Sequence, residues 1–121
     1  MTDYKQETHA VKSGIAADNQ FGAVVPPIYL STNYTFAGFG EKRQYDYSRS
    51  GNPTRDTLAQ ALAALEGGAG AVITGSGMGA VNLVAEALLT SQDLLVAPHD
   101  CYGGTYRLFQ HVAARGNYRV L

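Results

Sequence analysis

From Asn52 onward, apolar residues switch repeatedly between helical and strand spacing, and this alternation constrains the fold more than any other feature of the chain. Asn52 offers a side-chain cap and Pro53 suits the first helical position. Leu58, Ala61, Leu62 and Leu65 then fall on one helical face until Gly67 and Gly68 end it. Ala69 to Thr74 is a short apolar run with β-branched residues, which predicts a strand. A glycine turn follows at Gly75 to Ala80, leading into a nearly all-apolar helical stretch, Met78 to Leu89. Leu94 to Ala97 repeats the strand pattern, Tyr106, Phe109, Val112 and Ala113 form a third helical stripe, and Tyr118 to Leu121 starts another strand. The order predicts an α/β layered domain with a mainly parallel sheet. Because the chain stops inside an expected strand, that sheet is expected to be truncated, the whole being an N-terminal fragment.

Residues 1–51 behave differently. They hold no sustained period and carry turn signals at Ser13-Gly14, Pro26-Pro27, Gly38, Gly40 and Gly51. Tyr29, Tyr34, Phe36, Phe39, Tyr45 and Tyr47 make the stretch too aromatic for an inert linker, so it is expected to be an arm that packs on another surface. The expected organisation is an arm over 1–51 and an incomplete α/β domain over 52–121.

Charge and composition exclude several partners. The formal net charge is -1 and the basic residues are scattered, so no footprint for nucleic acid or anionic lipid exists. No apolar run approaches the ~20 residues of a membrane span, and the start of the chain, Met1 to Glu7, is polar. A cytoplasmic location is expected. Cys101 is the single cysteine, which excludes an internal disulfide, and His9, His99 and His111 have no ligand spacing, so no metal site is expected.

Two stretches are suited to hold a phosphate. In Tyr47-Ser48-Arg49-Ser50-Gly51-Asn52-Pro53-Thr54-Arg55 a guanidinium fork sits beside a phenol; in Gly75-Ser76-Gly77-Met78-Gly79-Ala80 bare amides open a helix. The second stretch also satisfies a dinucleotide fingerprint, Gly75-x-Gly77-x-x-Ala80, with Asp100 expected at the end of the next strand to meet a ribose. An NAD-binding Rossmann domain is therefore the alternative of another class. Its weakness is position, since such a unit normally opens its domain.

Both stretches, together with Val24-Val25-Pro26-Pro27-Ile28, Leu65-Glu66-Gly67-Gly68 and Asp100-Cys101-Tyr102-Gly103-Gly104-Thr105-Tyr106-Arg107, resemble the pyridoxal-phosphate enzymes of cysteine and methionine metabolism, the trans-sulfuration enzymes. The likeness covers nearly the whole chain. Leu94-Leu95-Val96-Ala97-Pro98-His99-Asp100 and Arg107 are most similar to the bacterial branch that joins an O-acylhomoserine, foremost O-succinylhomoserine, to cysteine, giving cystathionine in methionine biosynthesis. A γ-lyase and an O-acetylhomoserine sulfhydrylase are the alternatives within the family, and Ser50, where that branch carries a second Arg, leaves the acyl donor open.

The resemblance implies the first part of a fold-type I large domain, pyridoxal 5'-phosphate as cofactor, small amino-acid substrates, and a homotetramer built from dimers with shared sites. It implies that the amides of Gly77 and Met78 hold the cofactor phosphate and that Tyr47 and Arg49 reach the phosphate in a neighbouring subunit. Tyr102 would stack on the cofactor ring and assist proton movement, as the one catalytic residue in this stretch. Arg107 would bind the distal carboxylate of the acyl group. With the cofactor as electron sink, loss of the α- and β-protons permits departure of the γ-substituent, and a thiol replaces it.

Each residue also has a plainer reading. Tyr47 and Arg49 taken alone are a solvated loop, Tyr102 a packing aromatic, and Arg107 a helix-surface cation. Asp46 and Glu41 lie near enough to meet a substrate ammonium, but exposed carboxylates are mostly only hydrated. Arg55 is expected to brace the loop. Lys5, Lys12 and Lys42 all fall in the arm, and none sits in a segment resembling the family's cofactor-bearing lysine, so these 121 residues alone are expected to be inactive.

Overall fold

A computed structural model describes residues 4–121, which fall into two units, one ending at Ile73 and one spanning Thr74–Leu121. The first three residues of the expected arm lie outside the described residues.

The first unit is built on two helices. α1 (Gln6–Lys12) was not legible as a period, because its two turns bury no residue; Glu7 in its first turn and Lys12 in its last suit the helix dipole. It packs on α2 (Pro53–Leu65), the helix expected from Asn52 onward. Asn52 Oδ1 accepts from the amides of Thr54 at 2.9 Å and Arg55 at 3.4 Å. At the other end Gly68 N donates to Ala63 O at 2.8 Å and Gly67 N to Ala64 O at 3.4 Å, a Schellman closure. The expected apolar face is only partly used. Ala61 and Leu65 are half-buried, whereas Leu58 and Leu62 stay exposed because nothing among the described residues covers their side of the helix.

Between these helices the arm folds on itself. Asp18 is buried, and its carboxylate accepts from the amides of Gln20, Phe21 and Ala23 at 3.0, 3.2 and 3.1 Å. These bonds, Ala23's first, hold its pKa below the usual carboxylate value. Further along, Ser48 N donates to Thr32 O at 2.8 Å and Tyr34 N to Asp46 O at 3.0 Å, so the segment returns antiparallel to itself around Asn33 and Tyr47.

The second unit is a β-α-β crossover with a further helix. β1 (Leu94–Leu95) and β2 (Arg119–Val120) pair in parallel, Leu94 with Arg119 and Leu95 with Val120. Bonds from Arg119 N to Asp93 O, Leu121 N to Leu95 O and Ala97 N to Leu121 O extend the pairing. α4 (Gly103–Ala113) connects the strands, and α3 (Gly77–Leu88) packs on α4. Ala85, Phe109 and Tyr118 form the core, with Val81, Leu95, Leu108 and Val112 against it. The Phe109 and Tyr118 rings meet edge to face, centroids 6.4 Å apart, a geometry worth about 0.5–1.5 kcal/mol beyond burial.

The strands pair in parallel, as the alternation predicted, but the sheet has two strands among the described residues. The strand expected over Ala69–Thr74 is not formed: it makes no ladder bond there, and an extended segment without a partner is not a strand. The strands at 94–97 and 118–121 and the stripe at 106–113 fall where expected, although Tyr106 of that stripe is exposed.

Candidate active site

The loop that carries Tyr47 and Arg49 is pinned through its backbone while both side chains stay exposed. Ser50 N and Gly51 N both donate to Tyr47 O, at 3.0 and 3.1 Å, and Ser50 Oγ donates to Tyr47 O at 2.8 Å and to Asp46 Oδ1 at 2.9 Å. Ser48 Oγ donates to Ser31 O. Arg55 Nη2 donates to Arg49 O at 3.3 Å, so Arg55 braces the loop as expected. Arg49 itself lies over the Tyr47 ring, 4.9 Å from its centroid, and has no carboxylate partner among the described residues. A guanidinium stacked on a phenol and otherwise uncommitted is suited to receive an anion.

Neighbouring carboxylates are spoken for. Asp46 pairs with Lys42 Nζ at 2.6 Å and accepts from Ser50; these bonds, Lys42's first, hold its pKa down to about 2. Asp46, near enough in sequence to meet a substrate ammonium but expected to be merely hydrated, is engaged by a cation. Asp56 accepts from the Tyr45 phenol at 2.9 Å. The sequence marked Tyr45 only as one of the arm's aromatics and did not mark Asp56, since no period or motif links positions joined across an irregular segment.

In the second unit four expected residues gather at the N-terminal ends of α3 and α4. Ser76 caps α3 by accepting from Gly79 N at 3.0 Å, and Thr74 Oγ1 donates to Ser76 O at 2.8 Å. The amides of Gly77 and Met78 have no acceptor among the described residues, and a Cβ at Gly75 or Gly77 would meet nothing within 4 Å. Two free donors therefore face open space at the positive end of a helix. Tyr102 precedes α4 with 72% of its surface exposed. Its ring lies so close to Gly104 that a Cβ there would sit 2.5 Å from Tyr102 Cε1 and 3.4 Å from Met78 Sδ. Thr105 Oγ1 donates to Met78 Sδ at 3.6 Å, tying the two helix starts together. Arg107 folds back over the first turn of α4, its Nη1 3.7 Å from where a Cβ of Gly103 would be, with no carboxylate partner among the described residues. These ends lie where a ligand is expected in an α/β fold, beyond the carboxyl end of a parallel strand.

Among the described residues no group of three or more His, Cys, Asp or Glu is placed to hold a metal ion, and no helix is long and apolar enough to cross a membrane. Asp100 does not end a strand: β1 stops at Leu95, and Pro98–Cys101 is a turn closed by Cys101 N donating to Pro98 O at 3.2 Å. The ribose contact of the dinucleotide reading thus loses its basis.

Residues 7–121 match the family described as Cys/Met metabolism PLP-dependent enzyme, and the chain belongs to that family. Over 117 residues it is 63% identical to the cystathionine gamma-synthase of Escherichia coli K12, a stretch that is 97% of this chain and 30% of that protein. It is 45% identical over 105 residues to the cystathionine gamma-synthase/O-acetylhomoserine (thiol)-lyase of Bacillus subtilis, covering 87% of this chain and 28% of that one. The crystal structure of cystathionine gamma synthase from Xanthomonas oryzae pv. oryzae in complex with cystathionine superimposes with a TM-score of 0.94 at 58% identity, over 99% of this chain and 31% of that chain. The chain thus spans about 30% of the length of the relatives it matches. Membership of this family, over nearly every residue, displaces the dinucleotide-binding reading.

The residues present fit pyridoxal phosphate. In the second unit, two free amides at a helix start suit a phosphate dianion and the exposed Tyr102 ring suits a flat heterocycle; in the first unit, an uncommitted Arg beside a phenol suits an anion in its own right.

Proposed function

We propose that this chain serves a cystathionine γ-synthase reaction, γ-replacement on an O-acylhomoserine by cysteine. The observation that carries the reading is the gathering of Gly77, Met78, Tyr102 and Arg107 at one end of the second unit, in a chain 63% identical to the Escherichia coli enzyme. Bound pyridoxal phosphate would supply an electron sink for the carbanion formed at the substrate.

This chain's own residues hold and orient. The Gly77 and Met78 amides bind phosphate oxygens without a charged side chain, leaving the helix end to balance the dianion. Tyr102 stacks on the heterocycle, and its phenol hands a proton to or from the substrate. Arg107 meets the distal carboxylate of a succinyl ester through its planar fork. Tyr47 and Arg49 reach the phosphate of a neighbouring subunit, with residues 1–51 as the arm that carries them and 52–121 as the beginning of a fold-type I large domain. The working assembly is a homotetramer of dimers in the cytoplasm. Ser50, a neutral residue bonded to Asp46, supports a second reading in which the donor is O-acetylhomoserine.

A hybrid tests the first reading. With this chain in place of the matched segment of the Escherichia coli enzyme, the expected product from O-succinylhomoserine and cysteine is cystathionine, and the hybrid absorbs visible light through its bound cofactor. A hybrid that assembles but yields no cystathionine overturns the reading.

A further inference from the structure

The loop that presents Tyr47 and Arg49 begins and ends on one side chain. Asp46 follows Tyr45 directly, and at the far end Gly51 lies against the same ring: a Cβ there would sit 3.0 Å from Tyr45 Cδ1 and 3.3 Å from Cε1, so a larger residue would require the ring to give by a few tenths of an ångström. The ring's other neighbour is Tyr34, centroids 5.5 Å apart, whose own hydroxyl accepts from Asn52 Nδ2 at 3.2 Å. The Tyr45 hydroxyl donates to Asp56 Oδ2 at 2.9 Å and accepts from Gln44 Nε2 at 3.2 Å. Asp56 lies in the first turn of α2. Burial, and then the Asp56 carboxylate, push the Tyr45 phenol up to about 12, so it keeps its proton and remains a donor.

We propose that Tyr45, anchored by Asp56, is a positioning residue that fixes the base of the 46–51 loop so that Tyr47 and Arg49 meet a phosphate together. The inference rests on the anion-capturing role given to Tyr47 and Arg49 above. Its physical content is preorganisation. Among the described residues Arg49 and Tyr47 make no bond that holds their side chains to the rest of the unit, so their joint aim depends on the loop backbone, and that backbone meets Tyr45 at both its ends. The hydrogen bond from Tyr45 to Asp56 is the tie between this contact and a helix.

The test uses the whole 121-residue chain and pyridoxine 5'-phosphate, which has the phosphate and the ring but no aldehyde to react with lysines. Binding is read from the Tyr47 ring-proton resonances, which every variant below retains. A saturable shift is expected in the wild-type chain and none in Arg49→Ala. Tyr45→Phe, which keeps the ring packing, is expected to weaken binding about three- to tenfold. Asp56→Ala is expected to match it, whereas Asp56→Asn, whose side-chain carbonyl still accepts the phenol, stays within about twofold of wild type. The double variant Tyr45→Phe, Asp56→Ala is expected to bind no worse than either single one, as for two groups acting through one bond. Wild-type affinity in Tyr45→Phe, with binding lost in Arg49→Ala, overturns the positioning role and leaves the anion reading standing. Absence of a saturable shift in the wild-type chain overturns both. Loss in Asp56→Asn equal to that in Asp56→Ala overturns the hydrogen bond as the element that positions the loop.

Discussion

Arg55 donates through Nη2 to the backbone carbonyl of Arg49 at 3.3 Å, so one arginine holds the loop while the other, resting on the Tyr47 ring, has no carboxylate partner among the described residues. The two should separate cleanly on mutation. Arg55→Ala removes an exposed, charge-assisted bond and is expected to cost about 1 kcal/mol or less in urea unfolding, with faster amide exchange at Ser50 and Gly51. Arg49→Ala is expected to leave stability within about 0.5 kcal/mol of wild type. A large stability loss in Arg49→Ala would show that its side chain is structural.

Asp46 predicts an acid-range dependence of the same loop. Its native pKa, about 2, is depressed by Lys42 first and then Ser50, while its unfolded value is near ~3.9. A depressed pKa means that the stabilising contribution is complete above about pH 4 and is lost as pH falls through about 2. Lys42→Ala and Ser50→Ala are each expected to move the Asp46 titration upward, as followed by its carboxyl carbon resonance. A titration that neither substitution moves would contradict the bonding pattern.

Tyr118 carries a cost within the small core. It is 3% exposed, and its hydroxyl has no partner among the described residues. Burial, with Glu86 nearby, pushes its pKa up, which agrees with a poorly hydrated phenol. A buried hydroxyl without a partner is unfavourable by about 1–3 kcal/mol, so Tyr118→Phe should be neutral or raise stability by about 1 kcal/mol. Marked destabilisation in urea melts would mean that the hydroxyl is satisfied in solution.

What could be read from the sequence was what is decided locally. The ends of α2 follow from Asn52, Pro53 and Gly67, each acting on its own neighbours, and the free amides of Gly77 and Met78 follow from a glycine turn before a helix. α1 escaped because two turns with no buried face produce no period. Ala69–Thr74 had the composition of a strand, yet a strand is defined by its partner, which composition cannot supply. The Tyr45 and Asp56 contact was invisible for a related reason, since the irregular segment between them has no spacing from which a meeting can be inferred. Tyr102 and Arg107 were reached only through family likeness; the close approach of Tyr102 to Gly104 and Met78 needed the fold.

That approach makes Gly104 a specific test of how Tyr102 is seated. In Gly104→Ala the new Cβ would lie 2.5 Å from Tyr102 Cε1, so the ring must move. Helix propensity favours Ala over Gly by about 1 kcal/mol, which offsets part of the strain, and the melting temperature is expected to change little. The nuclear Overhauser contacts between Tyr102 and Met78 are expected to weaken, and the hybrid enzyme to lose activity. Contacts and activity both unchanged would show that Tyr102 is not seated by Gly104.

Arg107 separates the two acyl donors. Its guanidinium folds toward Gly103 at the end of the unit that holds Tyr102, and no carboxylate among the described residues competes for it. A charge-assisted bond to a distal carboxylate contributes about 1.5–3 kcal/mol. In the hybrid enzyme, Arg107→Ala should therefore lower kcat/KM for O-succinylhomoserine by about one to two orders of magnitude. O-Acetylhomoserine has no distal carboxylate and should lose far less. Equal losses on both esters would mean that Arg107 supports the fold of α4 instead of the acyl group, and the succinyl reading would then yield to the acetyl one.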